Sequence, residues 1–354
     1  MLWISVPTIL TYGITFVVGT LGNALVLFCT VRYKRLRAAT TYYLASLAAA
    51  DLIICFACVP IRTAEYFLPQ WELGLFMCKA IAYVQMSSVV CSVLTLTAIS
   101  IERYYAILHP MKAKSICTLG RTRKIMAGVW IMALILSSPI LYGQTVRGYP
   151  ISAEVTVYHC QPSWPSVVYH QVYIVYGALV IFLLPFIVMV RPVVLVTFAL
   201  FNGGRWVQIF TSIPLTKKSG SESRTLTVAH RGWGATQVIW FLRCYSCVSP
   251  TLCPGDFLNL MCALITSIES TYFGLTWFQL IKMLIVVIAL FAVCWVPILL
   301  LNVLKAFDVV NTYTPEVYYM SIAFQLMGYL NSCVNPICYA FMSKNFRQVC
   351  NKLR

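Results

Sequence analysis

The chain has 354 residues, of which 60% are hydrophobic and only 10% are charged. This composition, with a positive mean hydropathy, excludes a water-soluble globular protein, whose surface needs a larger share of charged side chains. The formal net charge of +16 therefore indicates attraction to an anionic membrane surface and not a nucleic-acid partner.

Seven apolar stretches follow one another along the chain, and each is long enough to cross ~30 Å of hydrocarbon as a helix. They run from about Pro7 to Thr30, Tyr42 to Leu68, Cys78 to Ile101, Ile125 to Tyr142, Val168 to Val190, Ile281 to Leu304 and Val317 to Met342. Because an unpaired backbone polar group is costly in lipid and the stretches do not alternate in polarity, we predict helices and not barrel strands. The predicted fold class is an all-α membrane protein, a seven-transmembrane helix bundle over residues 1–342.

Lysine and arginine concentrate in alternate segments between the predicted spans and in the tail. The basic set is Arg32, Lys34, Arg35, Arg37, Lys112, Lys114, Arg121, Arg123, Lys124, Lys344, Arg347, Lys352 and Arg354. Basic loops stay in the cytoplasm, so we predict a multi-pass plasma-membrane protein with an extracellular amino terminus. Cys78 and Cys160 then face the oxidising outer compartment, where a disulfide between them is expected.

Two segments differ from the rest of the chain. Residues 191–280 mix apolar patches with Gly203-Gly204 and scattered charges, which predicts an atypical, disordered third cytoplasmic loop. Residues 343–354 alternate basic and apolar side chains, which predicts a short amphipathic interfacial helix and tail. Cys350 in this tail is a candidate palmitoylation site, with an unmodified cysteine as the alternative.

Asp51 lies deep in the second predicted span, where a lone carboxylate is costly unless other groups stabilise it. Hydroxyl and amide side chains in other spans are available as partners: Asn23, Ser92, Asn331, Ser332 and Asn335. Oxygen donors around one carboxylate are typical of a hydrated site for a hard cation such as sodium. The alternative is that these groups link helices through hydrogen bonds, and the two roles are compatible.

Glu102-Arg103-Tyr104 closes the third predicted span at its cytoplasmic end. In isolation, such an acid–base pair is a plain interfacial ion pair. Two later spans each contain a proline that weakens the helical hydrogen-bond ladder: Pro297 follows Trp295 in the sixth, and Pro336 precedes Tyr339 in the seventh. These prolines indicate hinges that would let the inner face open.

Taken in order, these motifs resemble the rhodopsin-like family of G-protein-coupled receptors along all seven spans. The matching residues are Gly22-Asn23 with Val26, Leu47-Ala48 with Asp51, Trp71 with Gly74 and Cys78, Glu102-Arg103-Tyr104, Trp130, Pro185, Cys294-Trp295-Val296-Pro297, and Asn335-Pro336 with Tyr339. The resemblance implies a receptor and not an enzyme, with no required cofactor, coupled to a heterotrimeric G protein and to arrestin. It also implies a sodium ion as allosteric ligand at Asp51, Ser92, Asn331, Ser332 and Asn335.

Activation roles follow from the same resemblance. Arg103, between Glu102 and Tyr104, is expected to meet the G protein, and Trp295 is expected to be a rotamer switch beneath the ligand. Val93, Pro185 and Phe291 are expected to form the core that relays its motion. The remaining residues with an expected role in activation are Pro297, Asn335, Pro336 and Tyr339.

Two positions restrict the class of ligand. Gln85 replaces the carboxylate with which an aminergic receptor binds its amine, and Tyr329 replaces the lysine that an opsin needs for retinal. With Glu102-Arg103-Tyr104-Tyr105 and the loop His109–Lys114, the chain is similar to neuropeptide receptors of the thyroliberin, cholecystokinin, orexin and trissin receptor neighbourhood. A peptide needs a wide polar mouth above an apolar floor.

Polar and aromatic residues near the predicted outer ends are the candidates for this peptide site. They are Arg62, Glu65, Tyr66, Gln85, Gln144, Trp295, Asn302, Lys305, Gln325 and Tyr329. For each polar member, a hydrogen bond within the helix interface is the alternative role.

The resemblance stops after Val190 and resumes near Ile281. Val193 stands where receptors of this family carry a fifth-span tyrosine that meets the arginine of the third span in the active state. We hypothesise that Arg191 to about Gln279 derives from an imperfect gene model or a splice form. The second functional hypothesis is therefore a non-signalling or defective variant that binds ligand or pairs with an intact receptor.

Overall fold

The computed structural model of the chain describes residues 2–32, 39–152, 155–211, 282–311 and 314–342. The chain divides into two compact units, one of Met1–Phe201 with Trp277–Arg354 and one of Asn202–Thr276. The first unit contains the features analysed below. In the second, the described residues 202–211 are helical.

The helices follow the predicted spans in chain order. The first four spans are formed by α1 (Leu2–Arg32), α2 (Ala39–Ile53), a π-helical turn (Ile54–Cys58), α3 (Val59–Phe67), α4 (Gly74–Leu108), the short α5 (Pro110–Ile116), α6 (Leu119–Ser137) and the single turn α7 (Ile140–Gly143). The last three are formed by α8 (Val167–Tyr176), a second π-helical turn (Gly177–Leu183), α9 (Leu184–Thr211), α10 (Lys282–Ala306) and α11 (Pro315–Met342).

Six of these spans are long and apolar enough to cross a membrane. The seventh, α11, has the necessary length at 28 residues, but Asn331, Ser332 and Asn335 make it more polar than the others. Its polar side chains are buried within the bundle, where they do not meet lipid. The all-α seven-helix prediction is confirmed.

Each π-helical turn is separated by a single residue from a proline that follows it. Ile54–Cys58 precedes Pro60, and Gly177–Leu183 precedes Pro185. A proline has no N–H to donate, and its ring clashes with the carbonyl one turn earlier in the helix. The wider π turn accommodates this loss, and its extra residue changes which side chains face the bundle beyond it.

Apolar side chains occupy both the core and the outer surface of the bundle. Phe291, Leu47 and Met189 are at most 1% exposed and lie in the largest buried cluster, at the level of the inner half of the spans. Phe76 is 80% exposed and Leu21 67% exposed. Exposed apolar side chains on long helices are the expected lipid-facing surface of a membrane protein.

An antiparallel hairpin covers the amino-terminal end of the third span. Strand β1 (Gln144–Pro150) pairs with β2 (Thr156–Pro162), with Val146 opposite Cys160. The predicted disulfide is confirmed, because Cys160 is bonded to Cys78 at the start of α4 with a Cα–Cα distance of 5.6 Å. Trp71 packs on this disulfide, and its backbone N–H donates to the Tyr158 carbonyl at 2.7 Å.

The fifth span is longer than predicted. We expected a disordered loop from Arg191, but α9 continues through Pro192 to Thr211. One proline removes one hydrogen bond from the ladder, and the apolar run after it remains helical. In this run the Thr197 hydroxyl also donates to the Val193 carbonyl at 2.8 Å. Residues 212–281 of the predicted loop, and the predicted interfacial helix 343–354 with Cys350, lie outside the described residues.

Candidate functional site

Three polar groups from two spans meet at the end of the bundle that the sequence predicts to be extracellular, here called the outer mouth. The Arg62 guanidinium forms an ion pair with Glu65, one turn further along α3, at 2.6 Å. Its Nε donates to the Gln85 side-chain oxygen in α4 at 3.4 Å. The Arg62 and Glu65 side chains are 16% and 25% exposed, so this cluster is half-buried and its net charge is close to zero.

Aromatic side chains form a floor below this cluster. Tyr329 in α11 is buried, and its ring centroid lies 5.7 Å from that of Tyr12 in α1. Trp295 in α10 packs against the clusters of buried residues above and below it. The Trp295 Nε1 and the Tyr329 hydroxyl are buried without a hydrogen-bond partner of standard geometry among the described residues. The Trp295 Nε1 is therefore available to a polar atom of a ligand or to water, whereas the Tyr329 hydroxyl also interacts with the Gln325 side chain.

The inner half of the bundle contains a stack of aromatic rings beneath this floor. The Phe291 ring centroid lies 6.3 Å from that of Trp295 and 5.8 Å from that of Phe182 in the fifth span. Val93 and Phe291 are each 1% exposed in the same cluster. The Pro185 carbonyl accepts a hydrogen bond from Thr97, one turn below Val93, at 3.5 Å. The three relay residues predicted from the sequence therefore lie on facing surfaces of one core.

Asp51 lies at the centre of a buried polar network. It is 0% exposed, and one carboxylate oxygen accepts a hydrogen bond from the Asn335 amide at 2.8 Å. Asn23 donates to the Gly19 carbonyl at 2.9 Å and to the Ser332 carbonyl at 2.8 Å. These bonds join the first, second and seventh spans, as the helix-linking alternative predicts.

The same network retains unused oxygen acceptors. The second Asp51 oxygen and the Asn23 side-chain oxygen are buried without a partner of standard geometry in the described part of the chain. The Ser92 hydroxyl donates to the Ser88 carbonyl at 3.0 Å, which leaves its lone pairs as acceptors. Asn331 and Ser332 are buried nearby. Carboxylate, amide and hydroxyl oxygens are the ligands that a hard cation binds, so the residues present fit a sodium ion.

The carboxyl-terminal end of α4 contains a buried ion pair. The Arg103 guanidinium donates to Glu102 at 3.1 Å, and the two side chains are 11% and 7% exposed. The Tyr104 ring centroid lies 5.4 Å from those of Tyr105 and His109. Burial distinguishes this pair from the plain interfacial ion pair that an isolated dipeptide would form.

Both candidate hinge prolines lie inside continuous helices. Pro297 is within α10, and Pro336 is within α11. Gly22 in α1 lies against Pro336, since a Cβ atom built on this glycine would be 2.8 Å from the proline Cβ. The Tyr339 side chain lies outside the described residues.

Comparison with known proteins now adds to this geometry. A family model described as 7 transmembrane receptor (rhodopsin family) matches residues 22–339. The chain belongs to this family.

Its relatives include receptors for peptides. A cholecystokinin receptor of Xenopus laevis is 31% identical over 98% of this chain and 76% of its own length. A QRFP-like peptide receptor of Branchiostoma floridae is 28% identical over 96% of this chain and 75% of its own length. The resemblance to rhodopsin-like receptors of the neuropeptide type is confirmed, and this family consists of signalling receptors and not enzymes.

Several predicted ligand residues of the receptor have partners that the sequence did not indicate. Gln144 is buried and donates to the Cys160 sulfur at 3.1 Å, so its amide supports the hairpin and does not line the mouth. Lys305 donates to the Ser321 hydroxyl. Asn302 is half-buried, Gln325 is exposed, and the Tyr66 side chain lies outside the described residues.

Two aromatic residues of the receptor site were not predicted from the sequence. Tyr12 packs on Tyr329, and Phe182 stacks on Phe291 and on Phe186. The pair Phe182 and Phe186 has helical i, i+4 spacing around Pro185, which was a usable signal. Tyr12 had none, because an aromatic residue in an apolar first span is equally compatible with facing lipid.

Proposed function

We propose that the chain is a plasma-membrane receptor that binds an extracellular neuropeptide and transmits this binding to a heterotrimeric G protein, with its amino terminus outside the cell. The observation that carries the proposal is the series formed by the Arg62–Glu65–Gln85 cluster, the Trp295–Phe291 ring pair and the buried core around Phe291. The names of the relatives, a cholecystokinin receptor and a QRFP-like peptide receptor, support a peptide as ligand.

Each part of this series has a physical role in the proposal. The neutral polar cluster at the mouth binds backbone amides of the peptide, which carry both donors and acceptors. A peptide atom that displaces Trp295 also presses on Phe291, because the two ring centroids lie 6.3 Å apart and packed side chains transmit strain. The bundle then shifts between two states, and the open inner face exposes Arg103 to the G protein. We propose the phospholipase C and calcium pathway for this coupling, with arrestin as a further partner.

The test is a panel of neuropeptides applied to transfected cells that carry calcium and cyclic-nucleotide reporters. We expect at least one peptide to give a saturable response, which Arg103→Gln should abolish at unchanged surface expression. Retention of the full response by Arg103→Gln would overturn the assigned coupling site.

Gln85→Ala should weaken the potency of the active peptide about tenfold. The change removes a hydrogen-bonding amide from the mouth and leaves Arg62 without its acceptor in α4. The measurement is the concentration–response curve at matched surface expression. Gln85→Asn, which retains the amide, should recover part of the loss, and unchanged potency of Gln85→Ala would remove this residue from the ligand site.

We propose that the network around Asp51 binds sodium as an allosteric ligand. Asp51→Asn should abolish the difference in agonist affinity between sodium chloride and choline chloride at equal ionic strength, since the amide removes the charge that attracts the cation. The isosteric asparagine retains a polar side chain opposite Asn335. If sodium changed agonist affinity equally in the unmodified receptor and in Asp51→Asn, the proposed sodium site would be wrong.

The second candidate function is a receptor variant that binds the peptide without signalling. Val193 favours it, because this side chain packs on the inner core and has no hydroxyl to offer Arg103. We expect Val193→Tyr to raise the maximal reporter response at equal peptide binding. Equal responses of the two proteins would reject the variant hypothesis, and sequencing the transcript across residues 191–279 tests the gene-model explanation separately.

A further inference from the structure

Two thiols from the second and seventh spans lie close together inside the bundle. Cys55 belongs to the π-helical turn Ile54–Cys58 and is 0% exposed, and Cys333 belongs to α11 and is 5% exposed. A Cβ atom built on Gly19 in α1 would overlap the Cys55 sulfur and would lie 3.3 Å from the Cys333 sulfur. Because both sulfurs lie against this one point, they are near neighbours. Both cysteines are free.

Contacts with the first span hold this pair in place. The Cys333 thiol donates to the Thr15 carbonyl at 3.4 Å. Gly19, one turn further along α1, has no side chain, and the Cys55 sulfur occupies the space where a Cβ atom would lie. The Asn23 amide donates to the Gly19 carbonyl at 2.9 Å, which fixes the backbone at this close approach. The position of the pair is therefore set by α1 as well as by the helices that carry the thiols.

The pair lies next to the polar network around Asp51. Cys55 follows Asp51 by four residues, and Cys333 lies two residues before Asn335, which donates to the Asp51 carboxylate at 2.8 Å. Pro336, a candidate hinge, follows directly. A covalent bond between the two thiols would fix the segment of α11 before this hinge to the second span, in addition to the hydrogen bond already present.

We propose that Cys55 and Cys333 form a reversible disulfide when a hydroperoxide reaches the bundle, and that this bond holds the second and seventh spans in one arrangement. The sulfur of one thiol attacks the hydroxyl-bearing oxygen of the peroxide. The O–O bond breaks, the alcohol leaves with the thiol proton, and a sulfenic acid remains. The second sulfur then attacks the sulfenic sulfur, the S–S bond forms, and the hydroxyl leaves as water with the second proton.

The burial of the pair determines the class of oxidant. A charged oxidant such as glutathione disulfide would have to enter a buried, mainly apolar region, which is costly for an ion. A hydroperoxide is uncharged, and the two electrons that it accepts are those that the two thiols lose. Water-borne hydrogen peroxide and membrane-borne phospholipid hydroperoxide share this chemistry. The neighbouring thiol captures the sulfenic acid before a second oxidant molecule arrives, so the product is a disulfide.

The test of the bond uses the purified full-length chain in nanodiscs, treated with hydrogen peroxide or with a phospholipid hydroperoxide. We expect mass spectrometry of a non-reduced digest to show a peptide pair joined through Cys55 and Cys333, and the faster of the two reactions identifies the source of oxidant. Cys55→Ala and Cys333→Ala should each abolish this pair. Cys91→Ala removes another buried, free cysteine and should leave the yield unchanged.

The consequence of the bond is measured as the reporter response to the active peptide, and this part alone rests on the proposed function. After oxidation, the response should fall in proportion to the cross-linked fraction. Reductant at a level that leaves the Cys78–Cys160 peptide joined should restore it. Cys55→Ala and Cys333→Ala should keep their response, and a fall in them equal to that of the unmodified receptor would overturn the role of the bond.

Two results of the digest would overturn the bond itself: a cross-link from Cys55 to Cys58, which lies three residues further along the same turn, or sulfinic acids on unjoined Cys55 and Cys333. The digest requires no peptide ligand and no G protein. Failure of the disulfide is therefore distinguishable from failure of the proposed receptor function.

Discussion

Cys78→Ser is expected to remove most of the correctly folded receptor from the cell surface. The disulfide joins residues separated by 82 positions in sequence. A cross-link over a loop of this size lowers the conformational entropy of the unfolded chain and so stabilises the folded state by about 4 kcal/mol. Trp71 and Val146 pack against the bonded sulfurs, so the loss also loosens the hairpin over the outer mouth. Surface labelling of an epitope tag and thermal unfolding in detergent measure the effect.

Cys160→Ser should match Cys78→Ser, and the double variant should be no worse than either single one, because each change breaks the same bond. Cys117→Ser is the control, since Cys117 is a free, partly exposed cysteine. Additive losses in the double variant would show that the cysteines stabilise the fold separately and not through their bond.

Gly22→Val is expected to reduce both stability and signalling. A Cβ atom at Gly22 would lie 2.8 Å from Cβ and 3.1 Å from Cγ of Pro336. The proline ring cannot rotate away, so α1 or α11 must move, at a cost of about 1–3 kcal/mol. This movement would disturb the Asn23–Ser332 and Asp51–Asn335 hydrogen bonds at the same level. Thermal stability in detergent and reporter responses at matched expression provide the measurement.

Gly13→Val is the matched control in the same helix. A Cβ atom at Gly13 has nothing within 4 Å, so the same substitution meets no backbone or ring. We expect the Gly13 variant to retain the thermal stability and the reporter response of the unmodified receptor. If Gly13→Val lost as much stability and signalling as Gly22→Val, the contact with Pro336 would not be the cause of the Gly22→Val defect.

The spans were predictable because lipid imposes a simple rule on sequence: a crossing helix needs about 20 apolar residues. The local helix geometry within the spans was not predictable from this rule. Two local features depend on how neighbouring helices pack against the backbone around each proline. They are the π-helical turns before Pro60 and Pro185 and the continuation of α9 past Pro192. Span length alone carries no information about this choice.

Some parts of the candidate site were predictable from the sequence and others were not. Asp51 with Asn335 was expected, since a buried carboxylate needs partners and few polar residues exist in the spans. Gln144 was assigned to the ligand mouth, but the pairing of β1 with β2 places its amide on the disulfide. A strand register places alternate residues on opposite faces, so a loop residue cannot be assigned to the mouth before the register is known.

By itself, the sequence determined the membrane class, the seven helices and the family, because each depends on composition or on motifs that are local in the chain. The cysteine pair was also predictable, although its members are 82 positions apart, because both lie on the same predicted side of the membrane. Only the tertiary structure decided which polar groups meet. Arg62 has partners in α3 and α4, Phe291 stacks on Phe182, and Asn23 bonds to Ser332 across 309 positions. Such contacts are set by helix packing, which joins residues that lie far apart in the sequence and which the order of motifs along the chain does not reveal.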